Sequence, residues 1–496
     1  MATAEDFDLI IIGSGSGNSL VTEHWEGRRV AIVDAGVFGG TCLNRGCIPT
    51  KMYVYPAQLA DAPAEAGRLG VDLRFEGADF PAMRDRIFGR VDAISDAGLR
   101  YRRDELDWTE VVAEEVRFTG ARELTTASGR LLRGDQVVVA AGSRPALPDV
   151  PGMDLPSVHT SDTIMRVSRQ PRRLVVVGGG FIGAEFASVF SALGTEVVQV
   201  NRSPRLLRHL DAAVADRFTE IASRRWDLRT GWTVGAVEPV ADPARAEDGW
   251  VAVRLEPAPG LGRDGGGEPS VIEADAVLMA TGRVPNTDRL HLADVGYDVT
   301  ADGVLAVDGF QRALAGGEPV PGVYGLGDAA NTWQLKHVAN HEARVVAHNL
   351  VHPGDLRQNT LGPVPAAVFT RPQIASVGLT EEEAVERLGE DAVTVKEQAF
   401  GDVAYGWAME DTEGVCKVVA ERATGRILGA HVMGHDAANL VQTFVTGMSF
   451  DIDAHTLARG QYWPHPALSE VVENALLGLD VPEHSPLSPG ALVGGR

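Results

Sequence analysis

Cysteine is scarce in this chain, three residues in 496, too few for the disulfide framework of a small secreted scaffold. No apolar run approaches the ~20 residues that a membrane-spanning helix needs. Cations are outnumbered, 45 Lys and Arg against 68 Asp and Glu, for a formal charge of −23. That balance argues against nucleic acid or an anionic membrane as a partner. The acidic start, Met1 to Asp6, leads into a short apolar run broken at Gly13 and lacks the basic-then-apolar layout of a secretion signal. These absences lead to the expectation of a soluble cytoplasmic protein, and the length implies about three domains.

Two of the three cysteines lie five positions apart in Gly39-Gly40-Thr41-Cys42-Leu43-Asn44-Arg45-Gly46-Cys47-Ile48-Pro49-Thr50-Lys51. Glycines before each cysteine let the chain bend enough to bring the sulfurs together. Pro49 suits the first turn of a following helix, where its missing N–H is not needed. A thiol at a helix N-terminus faces the positive end of the dipole, which favours thiolate. The pattern points to a disulfide that cycles. A structural bridge or two unrelated thiols are the alternatives, although one short-loop bridge adds little to so large a chain.

The segment Phe7-Asp8-Leu9-Ile10-Ile11-Ile12 reads as a strand buried on both faces of a parallel sheet. Gly13-Ser14-Gly15-Ser16-Gly17-Asn18 follows as a phosphate-binding turn, then an expected helix and a second apolar run closing at Asp34. Gly13 and Gly15 match G-x-G-x-x-G, but Asn18 holds the sixth position; Asp34 stands where an acid would accept ribose hydroxyls. A second unit begins at Leu174-Val175-Val176-Val177, and there Gly178, Gly180 and Gly183 make a full match. Its second strand ends at Asn201 instead of an acid, with Arg202, Arg205 and Arg208 after it. That set favours NADPH, whose 2′-phosphate arginines can bind; the alternative is that these arginines only solvate a loop.

Val137 to Pro145 and Val277 to Pro285 are similar strand-to-turn segments carrying Gly142 and Gly282. With the prolines at 145, 148, 151 and 156 as punctuation, residues 1–150 and 275–350 form one discontinuous unit and 151–274 a second. A third spans 351–479, and 480–496 is expected to be a flexible tail. Asp242 to Ser270, with Asp264-Gly265-Gly266-Gly267 at its centre, reads as a hairpin insertion on the surface.

Two nucleotide units and a redox-active cysteine pair call for a flavin between nicotinamide and thiols. In this combination residues 5–478 resemble the FAD-dependent pyridine-nucleotide–disulfide oxidoreductases, the class of glutathione reductase and dihydrolipoamide dehydrogenase. Beside the cysteine motif and the glycine loops, the resemblance rests on Gly325-Leu326-Gly327-Asp328-Ala329 and Tyr462-Trp463-Pro464-His465-Pro466-Ala467-Leu468-Ser469-Glu470. It implies an α/β fold: two Rossmann-like dinucleotide-binding domains, for FAD and NADPH, and a C-terminal α+β dimerisation domain. FAD would contact Gly13, Gly15, Asp34, Thr41, Lys51, Gly142 and Asp328. NADPH would contact Gly178, Gly180, Gly183, Arg202, Arg208 and Gly282.

The resemblance also implies roles. Cys47 stays as a thiolate beside the flavin, and Cys42 attacks the substrate disulfide. His465 shuttles the proton while Glu470 holds the imidazole. Lys51 and Glu185 form an ion pair near the flavin. In the class the histidine serves the cysteines of the other subunit, so a homodimer is implied. Cys416 reads as a buried, inert thiol, and a C-terminal cysteine pair like that of mercuric reductases is missing. No metal site is expected.

Four strings, Gly15 to Ser19, Lys336 to Arg344, Asp402 to Asp411 and Ala458 to Trp463, are similar to the mycothione-reducing branch of the class. That likeness implies mycothiol disulfide as substrate and makes Asn18 a trait of the branch. Glutathione disulfide and lipoamide remain alternative substrates, and a non-catalytic FAD/NADPH sensor remains an alternative of another kind. Trp333, Tyr405, Trp407 and Trp463 are candidates to read the sugar of the substrate.

Overall fold

A computed structural model describes residues 4–259 and 270–483. The strand Glu5–Ile12 is apolar at its end because it is sandwiched in a sheet, paired in parallel with Val30–Val33 on one side and Leu131–Val139 on the other. The sheet runs in the order Arg312–Ala315, Glu318–Gly325, Leu131–Val139, Glu5–Ile12, Val30–Val33, Thr109–Val112. A hairpin, Val116–Gly120 with Glu123–Thr126, joins it through Leu131–Val139.

The second sheet is parallel throughout, in the order Asp227–Thr230, Glu196–Asn201, Arg173–Val177, Ala276–Met279, Val158–Thr160. The strand Ala276–Met279 therefore belongs to the second unit, which extends past the expected boundary at 274. Only the pairing partners of this short buried run decide its membership. The two similar turn segments behind the glycine loops pair with each other, Ser143–Pro145 antiparallel to Arg283–Pro285. The third unit is a five-stranded antiparallel sheet whose core includes Phe444 and Val472 from the helices Ala437–Ser449 and Ser469–Leu477. Cys416 is fully buried on its strand Val415–Glu421.

Three expectations need correction. No α-helix follows the first glycine turn; the chain makes two short 3-10 segments, Ser16–Leu20 and Glu23–Trp25. Serine there bonds locally to backbone, as where Ser19 Oγ donates to the Ser16 carbonyl at 2.7 Å, and that competes with helix. The region after Asp242 does form a hairpin, Val251–Pro257 antiparallel to Ser270–Ala274, but within a three-stranded sheet and not as a loop-like surface insertion. It contains the helix Pro243–Glu247 and the strand Val251–Pro257, which pairs on both sides and buries Val251, Val253 and Leu255. Its alternating Val-Ala-Val-Arg-Leu is the period-two signature of a half-buried strand; the glycine-rich centre, 264–267, lies outside the described residues. Finally, the start of the expected tail is docked. Asp480 N–H donates to Thr394 Oγ1 at 3.1 Å and Val481 packs on the third core; residues 484–496 lie outside the described residues.

Candidate active site

Gly39 and Gly40 carry φ of 103° and 73° and turn the chain into the short helix Gly40–Asn44. The buried Asn44 amide ties this turn down by donating to the Phe38 and Gly40 carbonyls at 2.9 and 3.1 Å. The helix Cys47–Ala66 then starts on Cys47 itself, which puts that sulfur at the positive end of a 20-residue helix. Cys42 is half-buried, Cys47 is exposed, and both are free thiols. The Cys42 thiol donates a hydrogen bond to Cys47. That bond, assisted by Lys51, pulls Cys47 down to about 6 against the opposing effect of burial. The same bond, together with burial, pushes Cys42 up. The pair thus holds a single proton on Cys42 and the negative charge on Cys47.

Lys51 lies one turn further along. Its Nζ is 2.7 Å from both oxygens of Glu185, a buried side chain on the helix Phe181–Ala192 that follows the second glycine loop. Glu185 also accepts the Phe369 N–H at 2.8 Å, and the Lys51 ammonium lies 4.6 Å from the Phe369 ring centroid. All three units meet at this pair. A cleft of about 530 Å³ opens beside it, lined by Cys47, Lys51, Met52, Tyr55 and Arg86 among others.

The first glycine loop is built of bare backbone because nothing larger fits. A Cβ on Gly13 would fall 2.2 Å from the Ala140 carbonyl oxygen. One on Gly17 would fall 2.8 Å from Ile11 Cγ2, so Gly17, and not position 18, supplies the close packing expected of the third glycine. Asn18 instead accepts from Arg102 Nε at 2.9 Å. Asp34 accepts the Ser14 N–H and the Gly36 N–H, each at 2.8 Å, and so closes the loop. Asp328 accepts Ser143 Oγ at 2.6 Å, and that hydroxyl takes the Arg283 Nε–H at 2.8 Å. Behind it, buried Glu342 accepts the Gly327 N–H at 2.7 Å and the Asn331 amide. Burial pushes the Glu342 carboxyl up to about 7. Gly15 touches Gly40, where a Cβ would lie 2.6 Å from the Gly15 Cα. The phosphate loop and the cysteine loop are therefore one continuous surface, with acids at the carboxyl ends of two parallel strands. These residues fit FAD, and Thr41 and Gly142 present an exposed side chain and open backbone beside them.

In the second loop a Cβ on Gly178 would lie 2.2 Å from the Ala280 oxygen and one on Gly183 2.3 Å from the Gly178 oxygen. Gly180 and Gly282 face open space, which fits a dinucleotide. Buried Asn201 donates to the Ser203 and Arg205 carbonyls, both at 2.9 Å, and so shapes the turn after its strand. Arg205 is taken by Asp216 at 2.8 Å. Arg202 and Arg208 are exposed and have no ion pair among the described residues.

His465 Nδ1 lies 2.8 Å from Glu470 Oε1, while Glu470 Oε2 accepts the Ala467 N–H at 3.1 Å. The histidine holds the Glu470 carboxyl below its usual range. Among the described residues His465 makes no hydrogen bond to Cys42 or Cys47 of its own chain. Trp463 donates to the Ala458 carbonyl at 2.8 Å and packs on the third core, whereas Trp333, Tyr405 and Trp407 are exposed. Sequence reasoning missed Gly17, Ser143, Glu342 and Lys336, whose Nζ donates to Ser16 Oγ at 2.8 Å. Gly17 was visible as an extra glycine; Lys336 and Glu342 lie within the string Lys336 to Arg344 and Ser143 within Val137 to Pro145, but nothing local marks the contacts they make.

Comparison with known proteins agrees with this geometry. Residues 7–343 match the family model described as pyridine nucleotide-disulphide oxidoreductase, and residues 364–476 match the dimerisation domain of the same family. The chain is 48% identical to mycothione reductase of Mycobacterium tuberculosis, over 96% of this chain and 100% of that one. It is 32% identical to glutathione reductase of Burkholderia cepacia, over 94% and 97%. Among solved structures, the HOCl-induced flavoprotein disulfide reductase RclA of Escherichia coli, as its Cu(II) complex, superposes with a TM-score of 0.80 at 25% identity, covering 95% of this chain and 99% of that one. No helix among the described residues is long and apolar enough to cross a membrane. The chain belongs to the pyridine nucleotide-disulphide oxidoreductase family and is a flavin-dependent disulfide reductase with FAD and NAD(P)H as its cofactors.

Proposed function

We propose that this enzyme reduces mycothiol disulfide to two molecules of mycothiol at the expense of NADPH, as a homodimer in the cytoplasm. The observation that carries the reading is full-length identity of 48% to a mycothione reductase, against 32% to a glutathione reductase. A reducing compartment suits a working pair of free thiols.

FAD, held by the Gly13–Gly17 loop, Asp34, Thr41, Lys51, Gly142 and Asp328, supplies the route by which the two electrons of NADPH reach the cysteines. Gly178, Gly180, Gly183 and Gly282 receive the nucleotide, and Arg202 and Arg208, with no ion pair among the described residues, take the 2′-phosphate that NADH lacks. In the reduced pair the Cys42 thiol gives up its proton to His465 of the second subunit, and Glu470 steadies the imidazole that receives it. The Cys42 thiolate attacks one sulfur of the substrate, forming a mixed disulfide, and the first mycothiol leaves with the proton from His465. The Cys47 thiolate then attacks Cys42 Sγ, which restores the Cys42–Cys47 disulfide and releases the second mycothiol as its thiolate, which takes a proton from solvent.

The test is oxidation of NADPH by the purified holoenzyme with mycothiol disulfide, glutathione disulfide and lipoamide in parallel. Turnover with mycothiol disulfide alone is expected. Turnover confined to another disulfide replaces the substrate. Flavin reduction without turnover on any of the three supports the sensor reading.

A further inference from the structure

Cys42 must attack as a thiolate, yet its hydrogen bond to Cys47 and its burial both favour the protonated thiol. A cation that acts favourably on it is Lys336, at the start of the helix Lys336–Val351. The Lys336 ammonium donates to Ser16 Oγ at 2.8 Å, and Ser16 Oγ is 3.3 Å from Asn340 Oδ1. An ammonium can only donate, so the hydroxyl accepts from the lysine and donates to the amide. Asn340 lies one turn along the same helix as Lys336, and the ammonium is therefore clamped between that helix and the glycine loop. No carboxylate pairs with Lys336 among the described residues. Ser16 follows Gly15, which rests on Gly40, and Gly40 opens the helix that carries Cys42. A positive charge with no carboxylate partner among the described residues is thus held on the glycine loop, against which Gly40, two residues before the interchange cysteine, rests.

We propose that Lys336 is a positioning residue for the interchange step, held by Ser16 and Asn340 so that its charge stabilises the thiolate of Cys42. The two lysines divide the pair between them: Lys51 sits one turn along the helix that Cys47 opens, and Lys336, held on the glycine loop, acts on Cys42. The inference rests on the reading of Cys42 as the attacking thiol.

The experiment is iodoacetamide alkylation of the NADPH-reduced holoenzyme between pH 5 and 10, quantified separately at Cys42 and Cys47 by peptide mass spectrometry. Lys336→Met is expected to move the Cys42 midpoint upward by about one pH unit, about tenfold slower alkylation near neutrality. The Cys47 midpoint and the FAD content stay unchanged, and Lys336→Arg restores the Cys42 midpoint. Ser16→Ala, which keeps the charge but frees it, gives a smaller upward shift, and it decides the matter if Lys336→Met fails to fold. An unchanged Cys42 midpoint in these variants overturns the proposal. Loss of FAD with an unchanged midpoint would assign Lys336 to the cofactor phosphates instead. Retention of turnover by Cys42→Ser would overturn the underlying reading of Cys42, a separate outcome.

Discussion

Lys51 and Glu185 are 134 residues apart, yet the lysine ammonium sits 2.7 Å from both oxygens of the glutamate. One stands on the helix that Cys47 opens, the other on the helix behind the second glycine loop, so the contact fixes the two nucleotide units to each other at the redox centre.

Removing that lysine should therefore have two separable effects. Lys51→Met leaves a buried carboxylate with, among the described residues, the Phe369 N–H alone, and it takes away a cation that lowers Cys47. Loss of a partner from a fully buried pair costs about 3–5 kcal/mol; Lys51 is a third exposed, so about 2 kcal/mol is expected, read as a lower Tm. The Cys47 thiolate, titrated by its absorbance in the reduced holoenzyme, should appear at higher pH by about one unit. The double variant Lys51→Met/Glu185→Gln should recover stability but not the thiolate.

Mixed dimers test where His465 acts. Co-expression of Cys42→Ser and His465→Ala chains should yield about a quarter of wild-type turnover, because half of the dimers are hybrids and each hybrid has one intact pair. A histidine serving its own chain would leave those hybrids inactive.

Arg202→Ala and Arg208→Ala each remove a charge-assisted contact to the 2′-phosphate, worth about 1.5–3 kcal/mol. The KM for NADPH should rise by roughly one to two orders of magnitude, with the KM for NADH unchanged. Steady-state kinetics with both nucleotides reads this out.

Glu342 makes stability depend on pH. Its carboxyl is raised to about 7 in the folded protein, from about 4.3 in the unfolded chain. Between those values the native state binds the extra proton, so stability falls as pH rises from about 4.5 to 7. Glu342→Gln cannot ionise, and its Tm should fall less than that of the wild type between pH 5 and pH 8. Equal slopes in the two proteins would contradict this assignment.

The parts legible in the sequence are those in which contact follows chain spacing. The second glycine loop reads directly from Gly178, Gly180 and Gly183, and His465 and Glu470 are close enough in sequence to suggest a pair. Asn18 misleads because the packing role shifts by one residue to Gly17, which shows only when Ile11 is seen against its backbone. The strand Ala276–Met279 could not be assigned to a sheet from its composition, since any buried apolar run looks alike. Lys336 and Ser16 are 320 residues apart, and no local pattern joins them.

The central claim is that electrons reach the substrate through Cys42, and rapid mixing of the Cys42→Ser holoenzyme with NADPH, followed by mycothiol disulfide, tests it most directly. The account predicts flavin reduction at close to the wild-type rate and loss of at least 10³-fold in disulfide turnover, the scale on which removing a nucleophile acts. Turnover retained without Cys42 would contradict the relay.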